Sequence, residues 1–399
     1  MKFFKNKGVQ SLLASLICIV LGVLVGFIVL LLMNAEGAGT AITNLLKNFF
    51  FYPGADARMK YFGTTLVKTA PLLMCALSIL FAYKTGLFNI GTAGQYCIGI
   101  CACLFGALYL KLPWYLCLLM AVAAGALLGT IVGFLKAYCN VNEVISGIML
   151  NWISLYITNS VLMNVKESTS PYTLKIMATN NSALLPKLGG VNKFFGDNQY
   201  ITIAVPIAIA IAVLVWILLE KTKFGYELKA TGFNKNAAKY AGMTEKRNMI
   251  VTLIIAGALA GLGASFYYLT GIEQWEVTAT SVPGMGFNGI AATFLGALNP
   301  IGTIFSSYFL QHITDGGTHI NNMLYGSQIA GLISAVIIYL CGFVLFVKHA
   351  MSKLAIRGEE NKDVRFEPIK TKADDKLEHA IKDENAKEDG KAVQEGGDK

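Results

Sequence analysis

Uncharged polar side chains that stand inside apolar runs are the residues of this sequence best suited to binding a solute. Asn89 and Gln95 lie in the segment 85–95, TGLFNIGTAGQ, where three glycines accompany the two amides. An amide buried in hydrocarbon costs free energy unless it is hydrogen-bonded, and a glycine-interrupted helix is tolerated at membrane depth where it faces protein or a water-filled cavity. We therefore predict that Asn89 and Gln95 line a polar path. Close helix packing through the glycines is the alternative.

A second set of polar residues follows one stripe of a helix that begins near residue 143. Its members recur at helical spacing and are Glu143, Ser146, Asn151, Ser154 and Thr158. Such a stripe does not face lipid comfortably, so we expect it to face the helix bundle or a pathway. Neutral amides and hydroxyls suit a neutral polar solute that is bound by hydrogen bonds rather than by ion pairs. Asn151 and Ser154 are therefore predicted to be path residues.

Two aromatic residues and one further amide complete the predicted path. Phe88 and Trp152 adjoin the amides in sequence and could stack on a sugar or a base, although apolar packing explains either residue equally well. Asn288, in the Gly- and Ala-rich segment 285–302, is the last candidate.

Several kinds of chemistry are disfavoured by what the sequence contains. Apart from Lys68 and Glu143, both near the ends of apolar runs, we find no ionisable residue within the membrane, which disfavours an ion-coupled carrier. No G-x-x-x-x-G-K-[ST] motif occurs, so we predict that the chain binds no ATP or other cofactor and is not an enzyme. His312, Asp315 and His319 lie in a predicted loop, where histidines are usually solvated, and we predict no metal site.

The composition is that of a membrane protein. The 399 residues have a mean hydropathy of +0.55, and 55% are hydrophobic whereas only 14% are charged. Soluble domains carry about 25% charged residues. A soluble enzyme, a nucleic-acid-binding protein and a disordered scaffold are therefore disfavoured. The eight cysteines lie in or at the end of apolar runs and are predicted to pack as free thiols.

The apolar runs predict an all-α polytopic fold with Gly- and Pro-interrupted helices. A spanning helix needs about 20 apolar residues. Runs of that length cover residues 11–33, 62–81, 87–110, 113–135, 144–163, 200–219, 249–271 and 325–347. Small residues repeat every four positions at Gly125, Gly129 and Gly133, and again at Ala256 and Ala260, which predicts close helix contacts.

The segment 286–314 and the distribution of charge decide the predicted topology. Asn299-Pro300 interrupts this apolar segment, and proline favours a turn because it lacks a backbone N–H. Lys and Arg concentrate in the N-terminal segment and in the loops on the same side of the membrane, and the basic C-terminal flank is also predicted to lie on that cytoplasmic side. Two termini on one side require an even number of spans. We therefore predict two short helices in 286–314, about ten spans and two cytoplasmic termini. Residues 1–347 form the predicted membrane domain, and 348–399 form a charged cytoplasmic tail.

The loop 220–248 is the longest predicted interior cytoplasmic loop and holds seven basic residues. It contains a predicted short amphipathic helix, 234–240, between Gly232 and Gly242. Such a loop suits the docking of a cytosolic partner, and an ordinary basic connector is the alternative. The net charge of +9 is thereby interpreted as a record of topology rather than of nucleic-acid binding.

Four ordered segments, 69–95, 142–153, 227–243 and 285–302, resemble permease subunits of ABC transporters. The similarity is to the branch that groups branched-chain amino acid and ribose permeases and extends over about 60–347. The NEVIS…MLNW run most resembles importers of nucleosides or simple sugars that are served by a lipoprotein. The family's usual A-E-G-Q is here A-G-Q preceded by Thr92, so a role of an acidic residue at that place does not carry over.

The resemblance implies a division of labour among subunits of a cell-membrane importer. Two permeases, often non-identical, enclose the path, a cytosolic ABC ATPase consumes ATP, and an extracellular lipoprotein delivers the solute, which we predict to be a nucleoside. The coupling helix that the ATPase would grip corresponds to the stretch 232–242. Its predicted contact residues are Gly232, Phe233, Asn234, Ala237, Ala238 and Gly242.

Three alternatives remain open at this point. The solute could be ribose or another simple sugar, since the same branch includes such permeases. The chain could be a stand-alone secondary carrier or channel, because some carriers bind ions through backbone carbonyls. It could also be a membrane anchor for an assembly.

Overall fold

The computed structural model describes residues 7–320 and, beyond them, residues 324, 325, 332, 335, 336, 339, 340, 342–344 and 346–350. Its named helices are α1 (Lys7–Met33), α2 (Ala35–Lys47), α3 (Ala55–Lys84), α4 (Thr92–Leu104), α5 (Trp114–Cys139), α6 (Glu143–Leu162), α7 (Ile176–Thr179), α8 (Val191–Phe194), α9 (Ala204–Lys221), α10 (Lys223–Phe233), α11 (Lys235–Tyr240), α12 (Glu245–Tyr268), α13 (Gly284–Leu295) and α14 (Pro300–Gly316). These described parts contain isolated bridges but no strand. The predicted all-α polytopic class is confirmed.

Seven helical segments among the described residues are long and apolar enough to cross a membrane. They are Leu13–Met33, Ala55–Lys84, Thr92–Tyr109, Trp114–Cys139, Glu143–Val165, Ala204–Lys221 and Glu245–Tyr268. The predicted number of about ten spans is not confirmed, because α13 and α14 are shorter than a full span and the run 325–347 is described only in part. Residues 1–6 and 351–399, which include both termini, lie outside the described residues.

α3 is the central helix of the bundle, and α1 lies at its periphery. In the most apolar window of α3, 89% of the residues are buried, against 22% in that of α1. α3 contacts α4, α9, α12, α13 and α14. Residues on α3 are therefore mostly withdrawn from lipid, which places any polar group there under strong pressure to find a partner.

The predicted glycine contacts join α5 to α12. A Cβ added to Gly125 would overlap the backbone carbonyl of Gly257, and one added to Gly261 would overlap the carbonyl of Ala121. The two backbones approach this closely only because neither glycine has a side chain. The structure confirms the prediction that these residues pack helix against helix.

The segment 286–314 forms two short helices, as predicted from Asn299-Pro300. α13 ends at Leu295 and α14 begins at Pro300, and the Asn299 side chain accepts hydrogen bonds from the backbone N–H groups of Ile301, at 2.9 Å, and Gly302, at 3.5 Å. Proline fits the first helical position because its missing N–H would have no partner there. Helix α2, in contrast, was not expected from the apolar runs.

Candidate functional site

A non-helical break, residues 85–91, separates α3 from α4 inside the bundle. The Gly86 N–H donates to the Tyr83 carbonyl at 3.1 Å, and the Leu87 N–H donates to the Ala82 carbonyl at 3.0 Å. These two bonds form a Schellman ending, which requires a left-handed residue, and Gly86 has φ +76°. The sequence predicts a helix loosened by glycine here, whereas the chain leaves the helix altogether and resumes it at Thr92.

The predicted path residues Asn89 and Gln95 contact each other directly. The Asn89 Nδ2 donates to Gln95 Oε1 at 2.8 Å and to Ser78 Oγ at 3.1 Å. The Thr92 hydroxyl donates to the Asn89 carbonyl at 2.9 Å. Asn89 is 3% exposed and Gln95 is 0% exposed. The name amide cluster is used for five residues: Ser78, Asn89, Thr92, Gln95 and Asn151.

Asn151 on α6 fastens the break to the neighbouring helix. Its Oδ1 accepts from the Gly94 N–H at 2.7 Å, and its Nδ2 donates to the Ile90 carbonyl at 3.1 Å. Gly94 is the third residue of α4, so its N–H has no acceptor within that helix. A Cβ at Gly94 would lie 2.7 Å from the Asn151 Cα. The glycine therefore lets the amide reach the backbone, and both ends of that amide are occupied.

The predicted polar stripe of α6 faces α4 rather than lipid. The Thr158 hydroxyl contacts the Cys97 carbonyl at 3.2 Å and the Ser154 carbonyl at 2.7 Å. Glu143, at the start of the stripe, forms an ion pair with Lys136 at 2.6 Å. The interpretation of one buried face is confirmed, and much of its polarity joins helices.

Two groups near this interface are buried without a partner among the described residues. They are the Gln95 Nε2 and the Ser154 Oγ. Buried polar atoms are nearly always hydrogen-bonded to protein or to ordered water, so an orphaned group marks a place that another molecule can satisfy. Gln95 and Ser154 thus each have a polar atom free to form a hydrogen bond, whereas both polar atoms of the Asn151 side chain are already bonded.

Three predicted path residues take no side-chain part in the hydrogen bonds of the amide cluster. Phe88 is half-buried in the break. Trp152 is 42% exposed and lies on the outer face of α6 with Ile153 and Tyr156. Asn288 is half-buried on α13, whose Gly286 approaches Ala93 at the start of α4.

The amide cluster also includes residues that the sequence did not single out. Ser78 is a lone hydroxyl within the apolar helix α3, and it accepts from Asn89. Thr92 was noted only as a departure from the family's pattern. No local pattern distinguishes either hydroxyl from an ordinary packing residue, because their partners come from other elements.

The predicted short helix in the loop 220–248 is α11. Asn234 caps it, accepting at 3.0 Å from the N–H groups of both Asn236 and Ala237. Ala238 is 4% exposed and anchors the helix, whereas Ala237 is exposed. Gly242 ends the segment with φ +79°.

Two aromatic rings that flank α11 project almost completely away from the protein. Phe233 is 96% exposed, and Tyr240, which the sequence analysis did not select, is 94% exposed. Aromatic side chains are enriched at protein interfaces relative to the rest of the surface, so these two rings are candidates for an interface. The label α11 surface is used below for these two residues with Asn234, Ala237 and Gly242.

A glycine contact joins the loop of α11 to the break. A Cβ added to Gly86 would lie 2.6 Å from the Gly232 Cα, and one added to Gly232 would lie 2.6 Å from the Gly86 N. The Asn248 Nδ2 also donates to Thr231 Oγ1 at 2.9 Å, which holds α10 to α12. The α11 surface and the amide cluster are therefore linked through a backbone contact three residues from Asn89.

The histidines considered for a metal site already have other contacts. His312 contacts the Asn48 Nδ2 through Nδ1 at 3.2 Å and the Leu46 carbonyl through Nε2 at 2.9 Å, while Lys68 pairs with Asp315 at 3.0 Å. Burial lowers the pKa of the His319 imidazole, and Asp315 opposes that shift. Within the described part of the chain, no group of three His, Cys, Asp or Glu residues is placed to hold a metal.

Comparison with known proteins relates this arrangement to transport. Residues 61–342 match the family described as branched-chain amino acid transport system / permease component. The guanosine ABC transporter permease protein NupP of Bacillus subtilis is 31% identical, over 88% of this chain and 99% of that protein. The nucleoside ABC transporter permease protein NupB of Lactococcus lactis is 31% identical, over 89% of this chain and 97% of that protein.

A second Bacillus subtilis protein is also similar. The guanosine ABC transporter permease protein NupQ is 31% identical, over 61% of this chain and 77% of that protein. One organism therefore holds two different permease proteins, both named for guanosine, that resemble this chain.

Proposed function

Because this chain belongs to the branched-chain amino acid transport system permease family, we propose that it is the permease subunit of an ABC importer that moves nucleosides across the cell membrane. The observation that carries the proposal is similarity, over nearly nine-tenths of the chain, to permeases named for guanosine and nucleosides. The neutral hydrogen-bonding groups of the amide cluster suit such a solute. As a transport subunit, the chain leaves ATP hydrolysis to a separate protein.

The amide cluster supports a division of roles among the predicted path residues. Gln95 and Ser154 carry orphaned polar atoms, so they are the groups that gain most by meeting a polar solute. Asn151 instead holds the break in place through two backbone hydrogen bonds. Asn89 positions Gln95 by donating to its Oε1. Gln95 and Ser154 would contact the solute, and the two asparagines would position the segment.

The near-zero exposure of Gln95 and Ser154 implies a closed state. Gln95 is 0% exposed and Ser154 is 1% exposed, so a solute reaches them only after α4 or α6 moves. A transporter must alternate between such states, and a solute or partner protein shifts that alternation only if it binds the two states with different affinity. A path that closes completely favours a transporter that alternates between states over a permanently open channel.

The α11 surface is the proposed docking site of a cytosolic ABC ATPase. Phe233 and Tyr240 are aromatic anchors of the kind that dominate protein interfaces. Displacement of α11 would reach the break through the close approach of Gly232 to Gly86. Gly86 belongs to the same break as Asn89, so a displacement of Gly86 would move Asn89 and change the orientation of the Gln95 side chain to which it is hydrogen-bonded.

The remaining subunits follow from the same proposal. Two similar but distinct guanosine permeases in Bacillus subtilis support a second, non-identical permease as partner. An extracellular lipoprotein would deliver the nucleoside, and both termini would lie in the cytoplasm, as predicted from the basic loops. We assign no nucleic-acid partner, metal or cofactor to this chain.

Uptake of labelled guanosine tests the proposal directly. A strain from which this chain is deleted should lose ATP-dependent uptake, and the restored gene should return it. Excess uridine should compete, whereas free ribose should not; competition by ribose alone would favour the sugar alternative. Unchanged uptake in the deletion, in a strain without a redundant system, would contradict the proposal. Transport by this chain alone in ATP-free liposomes would instead indicate a carrier or channel.

A further inference from the structure

A cavity of about 660 Å³ lies beside the turn between α13 and α14. Its walls come from α1, the last residue of α3, the turn 295–299, the first part of α14 and Lys348. None of the amide-cluster residues lines it. The volume lies within the roughly 300–1,000 Å³ of typical small-molecule sites. The cavity is therefore large enough for a ligand of its own.

Most of the cavity wall is apolar and continues into the surface that would face lipid. Leu16 and Ile19 of α1 oppose Phe305 and Phe309 of α14. Leu16 is 53% exposed and Phe305 is 72% exposed. A wall of this kind suits hydrocarbon, because apolar side chains that line the cavity, such as Leu16 of α1 and Phe305 of α14, are also exposed on the surface of the chain.

The polar part of the cavity is cationic. Lys84 and Lys348 both line it. Glu220 lies 4.0 Å from Lys84 but only 2.9 Å from Lys229, so its charge is engaged mainly by Lys229. Among the described residues, no carboxylate forms an ion pair with Lys348. Two ammonium groups thus face one cavity with incomplete neutralisation.

The charge and the apolar wall together select one class of ligand. We propose that this cavity binds an anionic phospholipid, with its phosphodiester headgroup between Lys84 and Lys348 and an acyl chain along Leu16, Ile19, Phe305 and Phe309. A soluble anion would leave the apolar wall unused, and a zwitterionic lipid would leave the two lysines without net compensation. Basic pockets between membrane helices bind acidic lipid headgroups by this combination of contacts.

The site lies at the same end of the bundle as the α11 surface. Lys84 is the last residue of α3 and directly precedes the break, and its neighbour Glu220 also pairs with Lys229 of α10. Ala297 and Leu298, in the cavity wall, have φ of +54° and +57°. Non-glycine residues in this left-handed region carry strain, which is found where the surrounding structure has a use for it. A bound lipid would support this turn.

Native mass spectrometry of the purified full chain in detergent provides the test, with phosphatidylglycerol and phosphatidylcholine as probes. One phosphatidylglycerol should bind in preference to phosphatidylcholine, and inorganic phosphate should not displace it. The double variant Lys84→Gln/Lys348→Gln should lower phosphatidylglycerol affinity by roughly 30-fold, at about 1 kcal/mol for each lysine near a membrane surface. Leu16→Trp, which fills the apolar part and keeps both lysines, should also abolish selective binding.

A matched control separates the cavity from general surface charge. Lys221→Gln/Lys246→Gln removes two lysines whose side chains lie over Trp216 and Tyr138 and do not line the cavity. It should leave the selectivity intact, and equal unfolding temperatures would show that all variants are folded. The proposal is overturned if both cavity variants bind phosphatidylglycerol like the parent, if the control loses as much affinity, or if phosphate displaces the lipid.

Discussion

The amide cluster and the α11 surface use their side chains in opposite ways, although a glycine contact joins them. The cluster hides amides and hydroxyls from solvent, with Gln95 at 0% exposure, whereas the α11 surface projects Phe233 at 96%. Each placement is costly in isolation, because a buried orphaned amide lacks a partner and an exposed ring lacks a cover. Each region therefore has groups that a partner could engage, and we propose a solute in one place and a protein in the other.

The comparison also separates residues whose contacts stabilise the fold from residues that have few contacts to lose within the chain. Asn151 and Gly86 are fully engaged in the break between α3 and α4, whereas Ser154, Phe233 and Tyr240 have little to lose within the chain. Substitutions should therefore divide into those that lower stability and those that lower transport without affecting stability.

Asn151→Leu should have the largest effect on stability. It would leave the Gly94 N–H and the Ile90 carbonyl buried without partners, at about 1–3 kcal/mol for each group. Thermal unfolding of the purified chain should reveal the loss. Trp152→Leu, one residue along on the exposed face, is the control. An Asn151→Leu variant as stable as the parent would show that this amide does not secure the break.

Gly86→Ala should come next, lowering the free energy of unfolding by about 2–4 kcal/mol through its left-handed backbone and through overpacking. The added methyl would meet the Gly232 backbone at 2.6 Å. Gly189→Ala is the matched control, since a Cβ there meets nothing within 4 Å. Unfolding curves and ATPase assays of the assembled transporter should both detect the change. Equal stability of the two variants would show that the close contact between Gly86 and Gly232 does not connect the two regions.

Phe233→Ala/Tyr240→Ala should weaken ATPase binding by at least about tenfold and leave the chain's stability unchanged, because truncating an aromatic hot spot costs about 2 kcal/mol or more. Both rings are almost fully exposed in this chain. Co-purification of the ATPase measures the first effect and thermal unfolding measures the second. Tyr226→Ala, at a 65% exposed residue of α10, serves as the control. Undiminished co-purification would refute the docking assignment.

Ser154→Ala should have the smallest effect, with stability changed by less than about 0.5 kcal/mol, since the hydroxyl has no partner to lose. Loss of one hydrogen bond to the solute should raise the KM for guanosine uptake about two- to tenfold. Ser160→Ala, on the exposed face of α6, is the control. A marked loss of stability with an unchanged KM would make Ser154 a packing residue.

Local chemistry was sufficient to predict some features of the fold. Proline at 300 behind an asparagine predicted the turn between α13 and α14, because both effects act within a few residues. Helical periodicity likewise placed Ser154 and Thr158 on one buried face of α6. The same periodicity separates Trp152 from Asn151, since adjacent helical residues point about 100° apart. Adjacency in sequence was a poor guide to a shared path.

Features that depend on distant partners were not predictable from the sequence pattern. The break at 85–91 makes a close contact between Gly86 and Gly232, and these residues belong to elements far apart in the chain. The roles of Ser78 and Asn151 depend on which backbone groups the folded bundle leaves unpaired. The number of spans was also uncertain, because α13 and α14 are too short for a 20-residue hydropathy criterion.

Thiol accessibility at position 154 tests most directly whether the closed region at Gln95 and Ser154 opens to solute under control of the ATPase. A Ser154→Cys variant is assembled with the ATPase, second permease and lipoprotein, and a small thiol reagent is added with and without ATP and guanosine. The same labelling of the parent assembly measures the contribution of the native cysteines, which is subtracted. The account predicts slow labelling at rest and a rate at least about tenfold higher during transport, since the hydroxyl it replaces is 1% exposed at rest. A rate that stays unchanged while guanosine uptake proceeds would contradict it.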